Sequence, residues 1–310
     1  MKFIDRNNQA WLLDGDVSIQ YQLHRDLLGS NKPELQERIL NEGWGKAFMS
    51  KRNTHGHWGQ KFYQPKWISS HYTLLDLRHL NPVRDNPVIK ETINNIVYNE
   101  KGIDGGVNPS GSVRYSDVCI NGMFLNYATY FGIEEKLIEP IIDYIIRQHM
   151  KDGGFNCALN RRGARHSSMH STISLLEGIR EYLYNGYKYR SDELESCEMA
   201  AREFLLKHKL YLSDRTGEII KKDFIRLSYP SRWRYDILRA LDYFRYAHAP
   251  FDERLIPALE VLLKKRRKDG RWNVQAKYPG QVHFEMEKAG KASRWNTLRA
   301  LRVLQTYDIR

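Results

Sequence analysis

The feature of this sequence that most constrains its fold is a glycine turn that recurs at intervals of roughly 50 residues. The turns lie at Gly56, Gly105, Gly153, Gly217 and Gly270. In every unit except the degenerate fourth, an apolar and usually aromatic residue follows two positions later; these residues are Trp58, Val107, Phe155 and Trp272. A repeat of this length predicts supersecondary units that bury their apolar faces against their neighbours.

Each turn leads through a polar loop into a stripe of apolar residues with helical spacing. The segment 232–241 nearly repeats the segment that begins at residue 294. We predict six inner helices separated by five outer helices, with residues 8–13 as part of a sixth outer helix. The inner helices are expected to start near Val17, Trp67, Ser116, Ser167, Ser231 and Ser293. No strand pattern competes, so the sequence predicts an all-α protein in which residues 1–310 form one domain.

Glycine turns with a following aromatic residue, placed between paired helices, resemble those of the terpenoid cyclase and protein prenyltransferase superfamily. The resemblance covers nearly the whole chain as architecture. It implies an (α/α) toroid, as in squalene cyclase, with about six inner and five to six outer helices around a central cavity. It also implies a function: a prenyltransferase-like or cyclase-like protein that holds an isoprenoid, or its diphosphate, in an aromatic-lined cavity with a cationic rim.

Composition and charge are compatible with such a ligand. The chain carries 49 Lys and Arg against 37 Asp and Glu, a formal charge of +12, which favours anionic partners. The longest basic run, residues 264–268, ends an apparent outer helix, where cations complement the helix dipole. We therefore expect a small anionic or isoprenoid ligand rather than nucleic acid.

The sequence also bears on location. Met1 to Leu13 lacks the apolar run of a signal peptide, and no stretch reaches the roughly 20 apolar residues of a membrane span. Three cysteines form an odd and sparse set that argues against a disulfide framework. These features predict a protein of the reducing cytoplasm.

The candidate site follows from the predicted ring. Parallel inner helices would gather their N-termini, with unpaired N–H groups and positive dipole ends, at one mouth of the cavity. Cationic side chains at such a rim indicate a bound anion rather than dipole compensation. The residues assigned there to substrate binding are His71, Arg114, His166, Arg232, Arg234, Arg294, Trp233 and Trp295. The residues assigned to catalysis are Asp117, His170, Tyr235 and Asp236.

The resemblance further implies a zinc site for a prenyltransferase, held by Asp and Cys two residues apart and a His on the next inner helix. Asp117 and Cys119 have that spacing, with His166 or His170 one helix later. The pattern is short, and Ile120 stands where the family usually has an aromatic residue. We therefore predict no metal and no other cofactor, with Cys119 in the core and Asp117 as a helix cap.

Two other functions remain open at this point. Some polysaccharide lyases also use an α/α toroid, and their chemistry needs a Tyr or His base and a cation or amide that neutralises a uronate. Residues that could supply those groups are Asn156, His170, Tyr229, Arg232, Arg234 and Tyr235. The last alternative is a scaffold that binds an anionic ligand or a protein without turnover. It is favoured because the resemblance implies an Asp-x-Asp-Asp run for a cyclase that protonates its substrate, and this sequence has no such run.

Overall fold

The structure is a computed structural model that describes residues 3–109, 113–275 and 277–309. Helices dominate it, which confirms the all-α prediction. In chain order they are α1 (Arg6–Leu13), α2 (Val17–Asp26), α3 (Pro33–Arg38), α4 (Gly43–Met49), α5 (Ser70–Leu80), α6 (Pro87–Asn99), α7 (Val118–Tyr130), α8 (Glu135–Arg147), α9 (Leu159–Arg162), α10 (Met169–Tyr184), α11 (Ser191–Lys207), α12 (Ile237–Tyr246), α13 (Ile256–Lys264) and α14 (Arg294–Thr306).

One small sheet departs from the expectation of no strands. The two-residue strands β1 (Trp272–Asn273) and β2 (Ala292–Ser293) pair antiparallel, with Trp272 opposite Ser293. Strands of two residues are too short to show the alternation of apolar and polar residues that predicts a β-strand. The pair joins the last glycine turn to the start of α14.

The repeat has a physical basis in a hydrogen bond that recurs in four units. The residue two positions after the turn glycine is buried, and its backbone N–H donates to a Ser, Thr or Asn side chain near the start of the next inner helix. The pairs are Trp58 with Ser70 (3.1 Å), Val107 with Asn121 (2.7 Å), Phe155 with Thr172 (3.0 Å) and Trp272 with Thr297 (3.0 Å). A buried N–H left without a partner is costly, so these side chains seat each turn on its helix.

Two of the Asp-Gly turns make a second contact of the same kind. The carboxylate of Asp104 accepts from the backbone N–H and the hydroxyl of Ser116, just before α7, at 2.8 and 2.7 Å. Asp152 does the same for Ser167, just before α10. These carboxylates satisfy donors that a helix start leaves unpaired.

The first inner helix, α2, begins at the predicted Val17, whereas the other five begin one to six residues later than the sequence predicts. The helix expected from Ser231 begins at Ile237, and the segment before it bends, with Arg232 in the left-handed region at φ 57°. The buried guanidinium of Arg239 donates to the carbonyls of Arg232 and Arg234 at 3.0 and 2.8 Å. Because these carbonyls are held by a side chain, the segment is stable without helical hydrogen bonds.

The chain forms two compact units. The terminal unit comprises Met1–Lys51, His79–Val83 and Leu206–Arg310. The central unit comprises Arg52–Arg78 and Arg84–Leu205. That residues 1–310 make one domain stays a prediction.

In the terminal unit the first inner helix, α2, contacts the last inner helix, α14. Arg302 in α14 contacts Asp26 in α2 at 2.8 Å and also pairs with Asp242 in α12. The last inner helix therefore lies between the first and the fifth, as a ring requires. Arg245 and Arg299 also bond Asp242, which makes this a buried ionic network.

In the central unit α7 and α10 approach each other at two glycines. A Cβ added to Gly122 would lie 2.7 Å from the carbonyl oxygen of Ser174, and one added to Gly178 would meet the Gly122 backbone. Glycine is needed at this crossing because any side chain would force the two backbones apart.

Among the described residues, no helix combines the length and the apolar character that crossing a bilayer demands.

Candidate functional site

The predicted site residues fall into both units. The terminal unit contains Arg232, Trp233, Arg234, Tyr235, Asp236, Arg294 and Trp295. The central unit contains His71, Arg114, Asp117, His166 and His170. Within each unit, the structure gives these residues very different surroundings.

Arg234 has the environment of a ligand-binding cation. Its guanidinium carbon lies 4.8 Å from the ring centroid of Trp233 and 4.3 Å from that of Tyr278. The residue is half-buried, and its Nε has no hydrogen-bond partner among the described residues. None of the described carboxylates forms an ion pair with it. A planar guanidinium that packs against aromatic rings has the N–H groups at its edge available to bind a carboxylate or another oxyanion.

The loop before α12 carries this cation, and contacts from α14 and from the segment after β1 hold that loop. The N–H of Gln275 donates to the carbonyl of Leu227 at 2.9 Å. The Asn296 side chain donates to the same carbonyl at 3.2 Å and to that of Asn273 at 3.1 Å. These hydrogen bonds join segments that are distant in sequence and place Arg234 next to Tyr278.

Tyr278 was missed in the sequence. Its phenol is half-buried, and burial raises its pKa. The Asp236 carboxyl also raises this pKa, and the Arg234 guanidinium, whose central carbon lies 4.3 Å from the centroid of the Tyr278 ring, lowers it. Tyr278 lies in a loop with no helical periodicity, and no signal in the sequence separated it from the other tyrosines.

Asp236 is the N-cap of α12. One carboxylate oxygen accepts from the N–H of Arg239 at 2.9 Å, and the other has no partner among the described residues. The residue is 1% exposed, and burial raises its pKa although Arg299 and Arg239 act in the opposite direction. A buried carboxyl with a raised pKa tends to hold its proton, as a general acid must.

Tyr235 does not suit the catalytic role that was predicted for it. Its side chain is wholly buried, and its hydroxyl donates to the carbonyl of Leu210 at 2.5 Å. Its ring lies 5.0 Å from that of Phe224. Tyr235 therefore fastens the fold, and Tyr278 is the phenol beside Arg234.

Arg294 and Trp295 are likewise engaged within the unit. Arg294 donates to the carbonyl of Trp11 at 2.8 Å and to the Asp14 carboxylate at 3.0 Å. Trp295 is buried, with its ring 5.0 Å from that of Tyr229. The cation and the indole stabilise the start of α14, and their assignment to substrate binding stays a prediction.

The N-terminus of α14 already holds an anion from the chain itself. The Glu287 carboxylate accepts from the N–H of Trp295 at 3.0 Å and from the hydroxyl of Ser293. Burial raises the pKa of Glu287, and these hydrogen bonds only partly offset it. The helix start expected to bind a ligand is thus capped internally.

In the central unit, His71 is not the rim cation that was predicted. It is fully buried, and burial lowers its pKa to about 3, so the ring is neutral. Its Nδ1 lies 3.2 Å from the hydroxyl of Tyr127, and its Nε2 has no partner among the described residues. Its ring is surrounded by those of Phe62, Tyr63 and Tyr72.

The candidates near α7 and α10 are more exposed. Arg114 is exposed, with its guanidinium carbon 5.4 Å from the Tyr115 ring, and His166 is also exposed. His170 is half-buried in the first turn of α10, and Asp117 is the half-buried N-cap of α7. The predicted roles of Arg114 and His166 in substrate binding, and of Asp117 and His170 in catalysis, stay predictions.

Cys119, the cysteine of the zinc site that the resemblance implied, has a second cysteine as its neighbour. Its N–H donates to the sulfur of Cys157 at 3.2 Å. Within the described part of the chain, no three His, Cys, Asp or Glu side chains are grouped as a metal site. The absence of a metal in the purified protein stays a prediction.

Comparisons with known proteins bear on the fold. No protein-family model and no curated protein sequence matches this chain. Among solved structures, it is similar to a glycosyl hydrolase of family 88 from Bacteroides vulgatus, with a TM-score of 0.51 and 11% identity over 96% of this chain and 91% of the other. It is also similar to a polysaccharide lyase, with a TM-score of 0.50 and 11% identity over 97% and 89% of the two chains.

These similarities confirm the α/α toroid and overturn the isoprenoid assignment. The structural neighbours are sugar-processing enzymes, not terpenoid cyclases or prenyltransferases. The error has a physical reason. The glycine turn and its aromatic residue specify how a turn seats on a helix, which many ring-shaped helical proteins need whatever they bind.

Proposed function

We propose that this protein is a sugar-processing enzyme whose substrate is an acidic saccharide bound at Arg234. One observation carries the proposal: the Arg234 guanidinium carbon lies 4.8 Å from the ring centroid of Trp233 and 4.3 Å from that of Tyr278, and no described carboxylate forms an ion pair with it. Similarity to a glycosyl hydrolase and a polysaccharide lyase supports the substrate class.

The chemistry of the Arg234 site fits a uronate. A guanidinium binds a carboxylate through two parallel hydrogen bonds, and stacking on rings lowers the entropy lost when it does so. The aromatic faces of Trp233 and Tyr278 also suit the C–H face of a sugar ring. Together these groups recognise charge and ring shape, which a neutral or an aliphatic ligand could not satisfy.

Tyr278 beside Arg234 favours an elimination reaction. When a guanidinium neutralises a uronate carboxylate, the proton on the adjacent carbon becomes more acidic, and a phenol can transfer a proton during bond cleavage. The distance of 4.3 Å between the Arg234 guanidinium carbon and the Tyr278 ring centroid supports this pairing of a cation with a phenol. Tyr278 is therefore the proposed proton-transfer residue of a lyase.

A second candidate reaction is hydrolysis, and Asp236 is the observation that favours it. A carboxyl whose pKa is raised by burial is a general acid of the kind that glycoside hydrolysis uses. Asp236 would act as that acid if the loop that covers it opened to the substrate. The two reactions share the Arg234 site and differ in their products.

The test is product analysis on galacturonan, alginate and glycosaminoglycan oligosaccharides. Elimination creates a carbon–carbon double bond conjugated to a carboxylate, detected by ultraviolet absorbance. Hydrolysis creates no such bond and incorporates heavy oxygen from labelled water. Either product should be lost in Arg234→Ala and kept in Arg226→Ala, a matched loss of an exposed cation from the same unit. Wild-type protein that cleaves only neutral saccharides would contradict the proposal.

A further inference from the structure

The central unit contains two cysteines in contact: the backbone nitrogen of Cys119 lies 3.2 Å from the sulfur of Cys157. Cys119 is the second residue of α7, and Cys157 lies in the loop before α9, 38 positions later. Both residues are half-buried, and neither forms a disulfide. Cys197, in α11, is buried and apart from this pair.

Donors surround the sulfur of Cys157. The backbone N–H of Cys119 donates to it at 3.2 Å, and the hydroxyl of Ser171 donates to it at 3.4 Å. The backbone N–H of Cys157 in turn donates to Ser171 at 3.2 Å, which holds the hydroxyl in place. Hydrogen bonds to a sulfur stabilise its thiolate, and the thiolate is the reactive form.

The pKa values of the two thiols are shifted in opposite directions. The neighbouring Cys119 thiol holds the pKa of Cys157 below its usual value, against the effects of burial and Asp117. The Cys157 side chain and burial raise the pKa of Cys119. A low-pKa cysteine beside a second cysteine is the arrangement of thiols that oxidise reversibly.

We propose that Cys157 and Cys119 form a peroxide-sensitive modification site, in which Cys157 is oxidised first and Cys119 resolves it into a disulfide. The Cys157 thiolate attacks a peroxide oxygen, so an S–O bond forms, the O–O bond breaks and hydroxide leaves. Cys119 then attacks the sulfenic sulfur; the S–S bond forms, the S–O bond breaks and the Cys119 proton leaves with the hydroxide as water. Two thiols are oxidised by one hydrogen peroxide, which is reduced to two waters.

The disulfide would tie the loop before α9 to the first turn of α7. Because it closes a loop of 38 positions, it restricts the unfolded chain and should raise the thermal midpoint of the oxidised protein. A reductant such as dithiothreitol should return the midpoint to that of the untreated protein. The site is independent of the sugar chemistry proposed for Arg234.

The experiment treats the full-length protein with hydrogen peroxide at one equivalent, then maps the cysteines by alkylation and mass spectrometry. The expected product has lost two hydrogens and contains a Cys119–Cys157 disulfide. Cys119→Ser should stop at sulfenic acid on Cys157, trapped by a cyclic 1,3-diketone, because the serine hydroxyl cannot form the disulfide. Cys197→Ser, the matched control, should behave like wild type.

Ser171→Ala tests the positioning role of the hydroxyl. It should slow the oxidation of Cys157 several-fold without changing which disulfide forms. Circular dichroism confirms folding of each variant, and mapping of wild type alone decides the outcome if a variant does not fold. Native wild-type protein that forms no Cys119–Cys157 disulfide, or that is oxidised first at Cys197, would overturn the proposal.

Discussion

The guanidinium of Arg302 in α14 lies 2.8 Å from the carboxylate of Asp26 in α2, although 276 positions separate them in the chain. Both side chains are largely buried, and Arg302 also pairs with Asp242. This contact joins the first and last inner helices. The closure of the terminal unit therefore depends on buried charges as well as apolar packing.

Replacing Arg302 with Met should strongly destabilise the protein. The substitution leaves Asp26 and Asp242 buried with fewer cations, and loss of one partner of a buried pair costs about 3–5 kcal/mol. Urea unfolding followed by circular dichroism measures this loss. Arg38→Ala breaks an exposed pair with Glu42 and should cause no measurable change. Equal stabilities of the two variants would show that the Arg302 network is not needed for closure.

The same network predicts acid sensitivity. Burial alone would raise the pKa of Asp26, but Arg302 and Arg25 outweigh it and lower the pKa from 3.8 to about 2. Since the folded pKa lies below the unfolded value, the ionised carboxylate stabilises the folded protein above pH 3.8. That stability is lost as the pH falls through about 2.

Thermal midpoints measured between neutral pH and pH 2 test this effect. Wild type should lose stability more steeply below pH 4 than Asp26→Asn, whose midpoint should be lower at neutral pH and less dependent on acid. Parallel curves for the two proteins would contradict the assigned role of Asp26.

The turn hydrogen bonds predict a sharper mutational effect. Thr297→Val removes the acceptor for the buried N–H of Trp272, bonded at 3.0 Å, and should cost about 1–3 kcal/mol. Thr297→Ser keeps the hydroxyl and should cost clearly less in the same urea titration. A serine variant as unstable as the valine variant would mean that the methyl packing, not the hydrogen bond, seats the turn.

The sequence predicted the helical repeat, but it did not predict the polar side chains that hold each glycine turn in place. The glycine turns and the residues after them predicted the paired helices, because a repeat leaves a regular trace. The partners of those turns, such as Ser70 and Asn121, differ in residue type and are hidden among other polar residues. Only the folded chain shows that each serves the same buried N–H.

The candidate site was predicted less well, for a related reason. Arg234 and Asp236 were found because they precede an apolar stripe. Tyr278 meets Arg234 across more than 40 positions of sequence, and Glu287 reaches the start of α14 from a loop with no regular pattern. Contacts between single side chains that are distant in sequence produce no periodic pattern of residues. Because the choice of ligand depends on such contacts, the sequence did not predict the ligand class.

Asn variants of Asp236 and Asp242, two buried carboxylates of the same helical segment, should affect function and stability differently. Asn at position 236 keeps the N-cap and removes a buried carboxyl whose raised pKa disfavours ionisation, so Asp236→Asn should keep or raise the thermal midpoint at neutral pH. Product formation should fall if hydrolysis is the reaction. Asp242→Asn leaves three arginines without their carboxylate and should cost about 3–5 kcal/mol. A midpoint for Asp236→Asn as low as that of Asp242→Asn would assign Asp236 to the scaffold.

The most direct test of the Arg234 site compares one saccharide with and without its charge. Calorimetry would measure the affinity of the tightest-binding uronate oligosaccharide and of its carboxyl-reduced counterpart for wild type, Arg234→Ala and Arg226→Ala. Since a charge-assisted hydrogen bond contributes about 1.5–3 kcal/mol, wild type and Arg226→Ala should prefer the acidic form by roughly 10-fold or more. In Arg234→Ala this preference should vanish, with both forms bound equally. A preference that survives in Arg234→Ala, or a wild type that binds the two forms alike, would contradict the assignment of Arg234 as the uronate-binding residue.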